Sequence, residues 1–297
     1  MSQTRRFSEA VLMDGFIEGE LPADAFHPCF QGAWYYKVVS SCDMWLGMEG
    51  ICTLPLFFPD ESRKEIRKEP LLPSQEVVRF LDTPSVYVGG SSDYETDIGF
   101  GWFHGMIDGQ MTPKKITFRP FWRTIYEESG KEMNVYLGTK IDETQYYFFP
   151  GDKVKIQLLC EHDNELTFIA TLLEETSIPE YRDYRAMCLP SQELKVSHIK
   201  APGNGIRPSR YKRVNAIDQY HNEGKPTQIT RAKAMYASWE EVYLYRNFSD
   251  KLIKVPFYPR RYSTMQCPTS LGFQVEHAEN IEHIQITPQR VLEGKQE

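Results

Sequence analysis

The clearest alternation of apolar and polar positions lies just past the middle of the chain. After the turn Pro150-Gly151-Asp152, Val154, Ile156 and Leu158 alternate with Lys155 and Gln157. A second polar turn, Glu161-His162-Asp163-Asn164, precedes an apolar return over Leu166 to Leu173. Period two on both sides of a short turn predicts an antiparallel hairpin over 154–160 and 165–173. Other segments share the aromatic and β-branched density of strands: Ala33 to Val39, Ser85 to Val88 ahead of Gly89-Gly90, Tyr94 to Phe103, Lys115 to Arg119, Thr124 to Tyr126, Val242 to Tyr245, Leu271 to Val275 and Ile281 to Ile286. Pro55 and Pro59 confine the apolar run Ile51 to Phe58 to an edge or an extended segment. A short helix is expected only near Ser8 to Met13. The stretch Glu61 to Glu69, seven charges of both signs in nine residues, reads as a solvated loop or short helix.

About ten strand candidates with little helical periodicity predict an all-β sandwich. Residues 1–30 read as an N-terminal arm and residues 31–297 as a single sandwich domain. A long loop insertion is expected at about 176–213, rich in proline, glycine and charge. Since the strands of a jelly roll come from both ends of a chain, strand 94–102 is expected in a sheet with 281–286 near it.

Composition narrows the function classes. The chain has 297 residues, 41% of them hydrophobic and 13% aromatic, enough to bury a sizeable core. A net charge of −7 argues against nucleic acid as a partner, which needs a basic face. A locally basic stretch, from Lys195 through Lys200, Arg207, Arg210 and Lys212 to Arg213, is a solvated loop or an anion site. No apolar run approaches a membrane span, and no secretory leader is visible, so a cytoplasmic location is expected. Six thinly spread cysteines without CxxC are expected to be reduced, mostly buried thiols. The triplet Asn247-Phe248-Ser249 means little without a leader.

The strongest chemical signal is Asp93-Tyr94-Glu95-Thr96-Asp97-Ile98-Gly99-Phe100-Gly101-Trp102. In a strand, Tyr94, Thr96, Ile98, Phe100 and Trp102 share a core face, and Asp93, Glu95, Asp97, Gly99 and Gly101 point to a groove or solvent. Three carboxylates on one face are solvated, or raise one another's pKa for acid–base work, or hold a cation such as calcium. The two glycines leave room for a ligand to approach the backbone.

Several short segments resemble the glutamic peptidases, whose fold is a concanavalin A-like jelly roll. Ser85 to Gly90 resembles that family's strand and turn ahead of its catalytic glutamine, and Glu95-Thr96-Asp97-Ile98-Gly99 resembles the glutamine strand itself. Phe121-Trp122 resembles the aromatic strand that comes next. Phe149 to Val154 resembles the central hairpin, and Ala278-Glu279 the dipeptide carrying the catalytic glutamate. Glu95 stands where glutamine is expected, and Asn280 replaces the tryptophan after the glutamate. The resemblance implies a jelly-roll β-sandwich in which Glu95 and Glu279 face each other across a concave sheet. If the two shared a proton, activity would be confined to acidic pH.

His104 and the aromatic residues Trp102, Trp122 and Tyr126 are further candidates for contacting a ligand, together with Asp93 and Asp97; Tyr146 and Tyr147 are weighed with them. His277 and His283 flank Glu279 and Glu282, but their spacing suits a metal poorly, so no metal site is expected. Nucleophile motifs, a phosphate loop and a dinucleotide fingerprint are missing, and no cofactor is expected. The leading reading is a β-sandwich that binds an extended polymer, glycan or peptide, across its concave sheet. An acid-active hydrolase resembling glutamic peptidases is the alternative, and a structural or assembly protein a third. Nothing in the sequence fixes the oligomeric state.

Overall fold

The computed structural model describes residues 4–25, 27–68, 76–103, 106–107, 110–111, 117–125, 132–136, 148–185 and 193–293. The fold is a jelly-roll-like β-sandwich. Its front sheet has seven strands in the order Glu132–Tyr136, Thr117–Ile125, Glu95–Phe103, Asp82–Ser91, Arg210–Gln219, Ala33–Ser40 and Tyr262–Cys267. Every neighbouring pair is antiparallel. The ten-stranded back sheet runs from Val11–Leu12 through Lys251–Pro256, Lys233–Phe248, Trp45–Thr53, Lys153–Leu159 and Glu165–Glu174 to Glu193–Lys200. The predicted hairpin is its centre, with Ile156 opposite Ala170 and Leu158 opposite Phe168.

Alternation builds the core. Trp34, Tyr36 and Val38, Val86 and Val88, and Ile98 and Phe100 point inward from the front sheet. Met48, Val154, Ile156, Leu158, Phe168 and Trp239 meet them from the back sheet. The Phe100 ring packs on Phe148 at 4.6 Å and on Phe168 at 6.2 Å. Burial of side chains this size contributes roughly 1.5–3 kcal/mol each, so removing one is felt. A smaller apolar cluster of Ala33, Tyr35, Val39, Val214, Ala216, Met265 and Cys267 lies on the opposite, outer face of the front sheet.

Several expectations are corrected. Strand Ile281–Ile286 pairs with Lys233–Phe248 in the back sheet, whereas Glu95–Phe103 belongs to the front sheet. The span 176–213 is not one long loop. It holds helix Pro179–Arg185, strand Glu193–Lys200 and the first residues of Arg210–Gln219. The helix docks through Arg185, which pairs with buried Asp152 and lies 4.5 Å from the Phe149 ring. The charged stretch after Glu61 contains strand Lys64–Lys68, paired with Glu76–Phe80. In place of a helix at Ser8–Met13 there is one 3-10 turn, Phe7–Glu9, and a two-residue strand, Val11–Leu12.

The cysteine expectation is corrected too, because Cys29 and Cys267 form a disulfide. Cys42, Cys52 and Cys160 are free, and Cys188 lies outside the described residues. The arm that carries Cys29 crosses the outer face of the front sheet. It is held by the Asp24–Arg210 pair at 2.7 Å, by Phe30 N–H donating to the Tyr35 hydroxyl at 2.7 Å, and by the buried Glu20–Arg261 pair at 2.6 Å. Among the described residues no helix is long and apolar enough to cross a membrane.

Candidate binding site

Strand Glu95–Phe103 turns its two faces as its alternation predicts. Thr96, Ile98 and Phe100 are buried in the core, and Glu95 and Asp97 stand on the outer face. Asp93 lies in the turn before the strand and pairs with Arg207 at 2.8 Å.

The acids are not left bare. Lys212, from two strands away, inserts its ammonium between Glu95 and Asp97; its nitrogen is 2.5 Å from Asp97 and bonds Glu95 directly. The intervening strand must be empty at the crossing, and there it has Gly89. A Cβ on Gly89 would sit 2.5 Å from the Lys212 Cε and 2.2 Å from the Thr96 carbonyl oxygen. Arg123 extends the network, 3.5 Å from Asp97 and 2.8 Å from Glu223. Lys37 approaches Glu95 only to 3.9 Å.

Charge placement fixes protonation. Lys212, helped by Lys37 and opposed by burial, holds the Glu95 carboxyl at about 2. Burial alone would depress the Lys212 amine, but Asp97 and Glu95 more than offset it and leave that amine above the ordinary lysine value. Lys37 is pulled down to about 8 by burial and by the Lys212 charge, which outweigh Glu95 and Asp97. At the far end of the network, burial raises Asp218 to about 6 against the opposing pull of the Ser85 hydroxyl and the Arg123 charge. The expectation of a raised carboxylate pKa on this strand is therefore corrected at Glu95, because the neighbouring cations outweigh burial.

Glu95, Lys37 and Lys212 line a pocket of about 250 Å³. Asp24 and His27 of the arm form its other wall, with Val39, Ser91 and Arg210 beside them. Beyond Lys212 the outer face continues into aromatic surface. The Lys212 nitrogen lies 5.8 Å from the Tyr87 ring centre, and Tyr87 meets Phe121 edge-on at 5.8 Å. Phe121 pairs with Gly99 across the strands and is the side chain nearest the Cβ position of Gly101, at 3.6 Å.

The structure separates the other candidates. Glu279 lies exposed in the turn joining Phe273–Ala278 to Ile281–Ile286, with a left-handed φ of 53°, on the back sheet. It does not face Glu95, and the shared-proton pair is not formed. Trp102 packs on the core side between Phe57 and Phe80, and Trp122 packs against the core with its ring N–H directed to Thr124. Neither ring reaches the outer face. His104, Tyr126, Tyr146 and Tyr147 lie outside the described residues. His277 is 3.7 Å from Glu282, but Glu282 is already taken by Arg213 at 2.6 Å and the Tyr36 hydroxyl at 2.7 Å. Among the described residues no group of three or more His, Cys, Asp or Glu side chains is placed to hold a metal ion.

Sequence reasoning missed Lys37 and Lys212 as partners of the acidic strand. The signal was present for Lys37, a lysine inside the otherwise apolar and aromatic run Ala33 to Val39 at the period-two position that faces away from the core. Lys212 sits among Arg210, Arg213 and Asn215 and does not stand out.

An acid titration checks the Glu95 assignment. Its folded pKa lies below its unfolded value of 4.5, so its stabilising contribution is complete above pH 4.5 and is lost as pH falls toward about 2. The parent's Tm should fall over that window, and Glu95→Gln should flatten part of the fall. Equal slopes in the two proteins would contradict the assignment.

No family model matches the chain, and no curated protein does. Among solved structures it shows a weak resemblance to glutamic peptidases. Scytalido-glutamic peptidase with a peptide-based transition-state analogue aligns at 9% identity and a TM-score of 0.44, covering 85% of this chain and 97% of that one. SCP-B, a member of the eqolisin family of peptidases in complex with the tripeptide Ala-Ile-His, aligns at 7% identity and 0.38, covering 85% and 97%. The β-porphyranase BpGH16B of the human gut bacterium Bacteroides plebeius aligns at 8% identity and 0.18, covering 80% and 65%.

Proposed function

We propose that this protein binds an extended polymer, a glycan or a peptide, along the outer face of its front sheet, and anchors one unit of it in the Lys37–Glu95 pocket. The observation that supports this reading is continuity. A polar pocket opens at one end of a strip made of Tyr87 and Phe121, which cover the positions over Gly99 and Gly101. A concave polar anchor beside aromatic surface suits an elongated ligand that stacks at one point and hydrogen-bonds at another. Glu95 serves as an organiser of the pocket, since Lys212 keeps its carboxyl ionised and an ionised carboxylate has no proton to give. The Cys29–Cys267 bond suits an oxidising compartment better than the cytoplasm.

Binding to immobilised glycan and peptide libraries tests the reading. Phe121→Ala and Lys37→Met should each weaken the retained ligand about tenfold, the scale of one lost stacking or charged contact. Binding that ignores both changes would move the ligand elsewhere. Turnover of the bound polymer, abolished by Glu95→Gln, would make the protein a hydrolase instead.

A further inference from the structure

The polar groups of the pocket differ in how fully they are used. Lys212 is saturated by Glu95 and Asp97. Arg210 spends one terminal nitrogen on Asp24, while its buried Nε has no partner among the described residues. His27 presents a buried Nε2 that likewise has none. Among the described residues the only carboxylate within 4 Å of the Lys37 nitrogen is Glu95, at 3.9 Å, beyond hydrogen-bond range. Three groups able to donate thus remain unspent around one small space, and buried donors without acceptors are costly unless a ligand supplies them. Val39 adds an apolar spot, and Glu95, Asp24 and Ser91 add acceptors.

Resting on the polymer-binding reading, we propose that the pocket takes one uronic-acid unit of a carboxylated glycan, its carboxylate held by Lys37, Arg210 and His27 and its hydroxyls by Glu95, Asp24 and Ser91. A dianion such as phosphate fits less well, because two wall carboxylates repel the second charge. An acidic peptide supplies the carboxylate but not the ring of hydroxyls for the acceptors. Tyr87 and Phe121 lie along the path of the next units, where sugar rings stack.

Anchoring is coupled to a proton. The charged groups around Lys37 are Lys212 on one neighbouring strand, Glu95 and Asp97 beyond it, and Asp24, His27 and Arg210 at the pocket wall. An added carboxylate favours the charged amine and raises its pKa from about 8. Binding near pH 8 then takes up a proton, and affinity falls as pH rises from 7 to 9.

Calorimetry of the full chain with trigalacturonate, its methyl ester and triglutamate tests this, at pH 8 in two buffers of different ionisation enthalpy. Trigalacturonate should bind with uptake of about half a proton. Its methyl ester and the Lys37→Met variant should each weaken binding about tenfold or more. Lys37→Arg, which keeps the charge without titrating near pH 8, should retain binding and lose the proton uptake; this variant also guards against a folding defect in Lys37→Met. Equal affinity for the methyl ester overturns the carboxylate anchor, and equal affinity for triglutamate overturns the sugar. No binding of trigalacturonate at millimolar concentration overturns the proposal outright. A neutral glycan or a peptide that binds through Phe121 but not Lys37 would do so too, while leaving the polymer-binding reading in place.

Discussion

Lys212→Met is expected to destabilise the protein by about 3–5 kcal/mol, the cost of removing one partner from a buried ion pair. The Lys212 and Asp97 side chains are 7% and 5% exposed, and Glu95 about one-third, so this triad is far more enclosed than a surface salt bridge. Methionine fills the space above Gly89 but leaves Glu95 and Asp97 facing the same outer surface without their shared cation. Arg123 reaches Asp97 from 3.5 Å and relieves part of that repulsion. Among the described residues the nearest cation left to Glu95 is Lys37, at 3.9 Å, with Arg123 farther off. Urea unfolding at pH 7 is the measurement. Combining Lys212→Met with Glu95→Gln and Asp97→Asn removes the charge as a whole, and the triple variant should recover part of the loss. A cost below about 1 kcal/mol for the single change would mean that the network is solvated in solution and does not hold the front sheet together.

How much of this was legible in the sequence follows from what a period of two encodes. It states which side chains share a face, and there it succeeded. The 154–160 and 165–173 segments pair antiparallel as expected, and strand Glu95–Phe103 sends Ile98 and Phe100 inward and Glu95 and Asp97 outward. Period two does not state which strand lies beside which. Lys212 meets Glu95 across 117 positions of sequence, and only the sheet order, with Gly89 between them, brings the pair together. The same gap explains the basic stretch near residue 210. Read alone it was a solvated loop or an anion site, yet Arg207, Arg210, Lys212 and Arg213 each pair with an acid from a distant segment. Trp122 shows a different failure. It pairs across the strands with Ile98, and cross-strand partners share a face, so a residue chosen for ligand contact was bound to follow Ile98 toward the core. Glu279 was placed by likeness of a dipeptide alone. A short polar turn after Ala278 fits its observed position better than a sheet interior does.

The Cys29–Cys267 disulfide should matter almost as much as Lys212, and for a reason that lies in the unfolded chain. Its two cysteines are 238 residues apart, so the bond closes nearly the whole chain into a loop. Chain-entropy arguments put such a closure at roughly 5 kcal/mol, and native disulfides commonly contribute about 2–4 kcal/mol. The double variant Cys29→Ala/Cys267→Ala is therefore expected to lose about 2–5 kcal/mol in urea unfolding, and dithiothreitol should reproduce the loss in the parent. Function should follow stability here. The bond anchors the arm just beyond Asp24 and His27, which form one wall of the pocket, so loosening the arm should weaken ligand binding more than it disturbs the back sheet. Hydrogen exchange on the double variant separates the two effects. Faster exchange at Phe30, whose N–H donates to the Tyr35 hydroxyl, with unchanged protection at Ile156 and Leu158, is the expected pattern. Uniformly faster exchange would mean that the disulfide stabilises the sandwich as a whole. Unchanged exchange and stability would leave the Glu20–Arg261 and Asp24–Arg210 pairs as the arm's real fastenings.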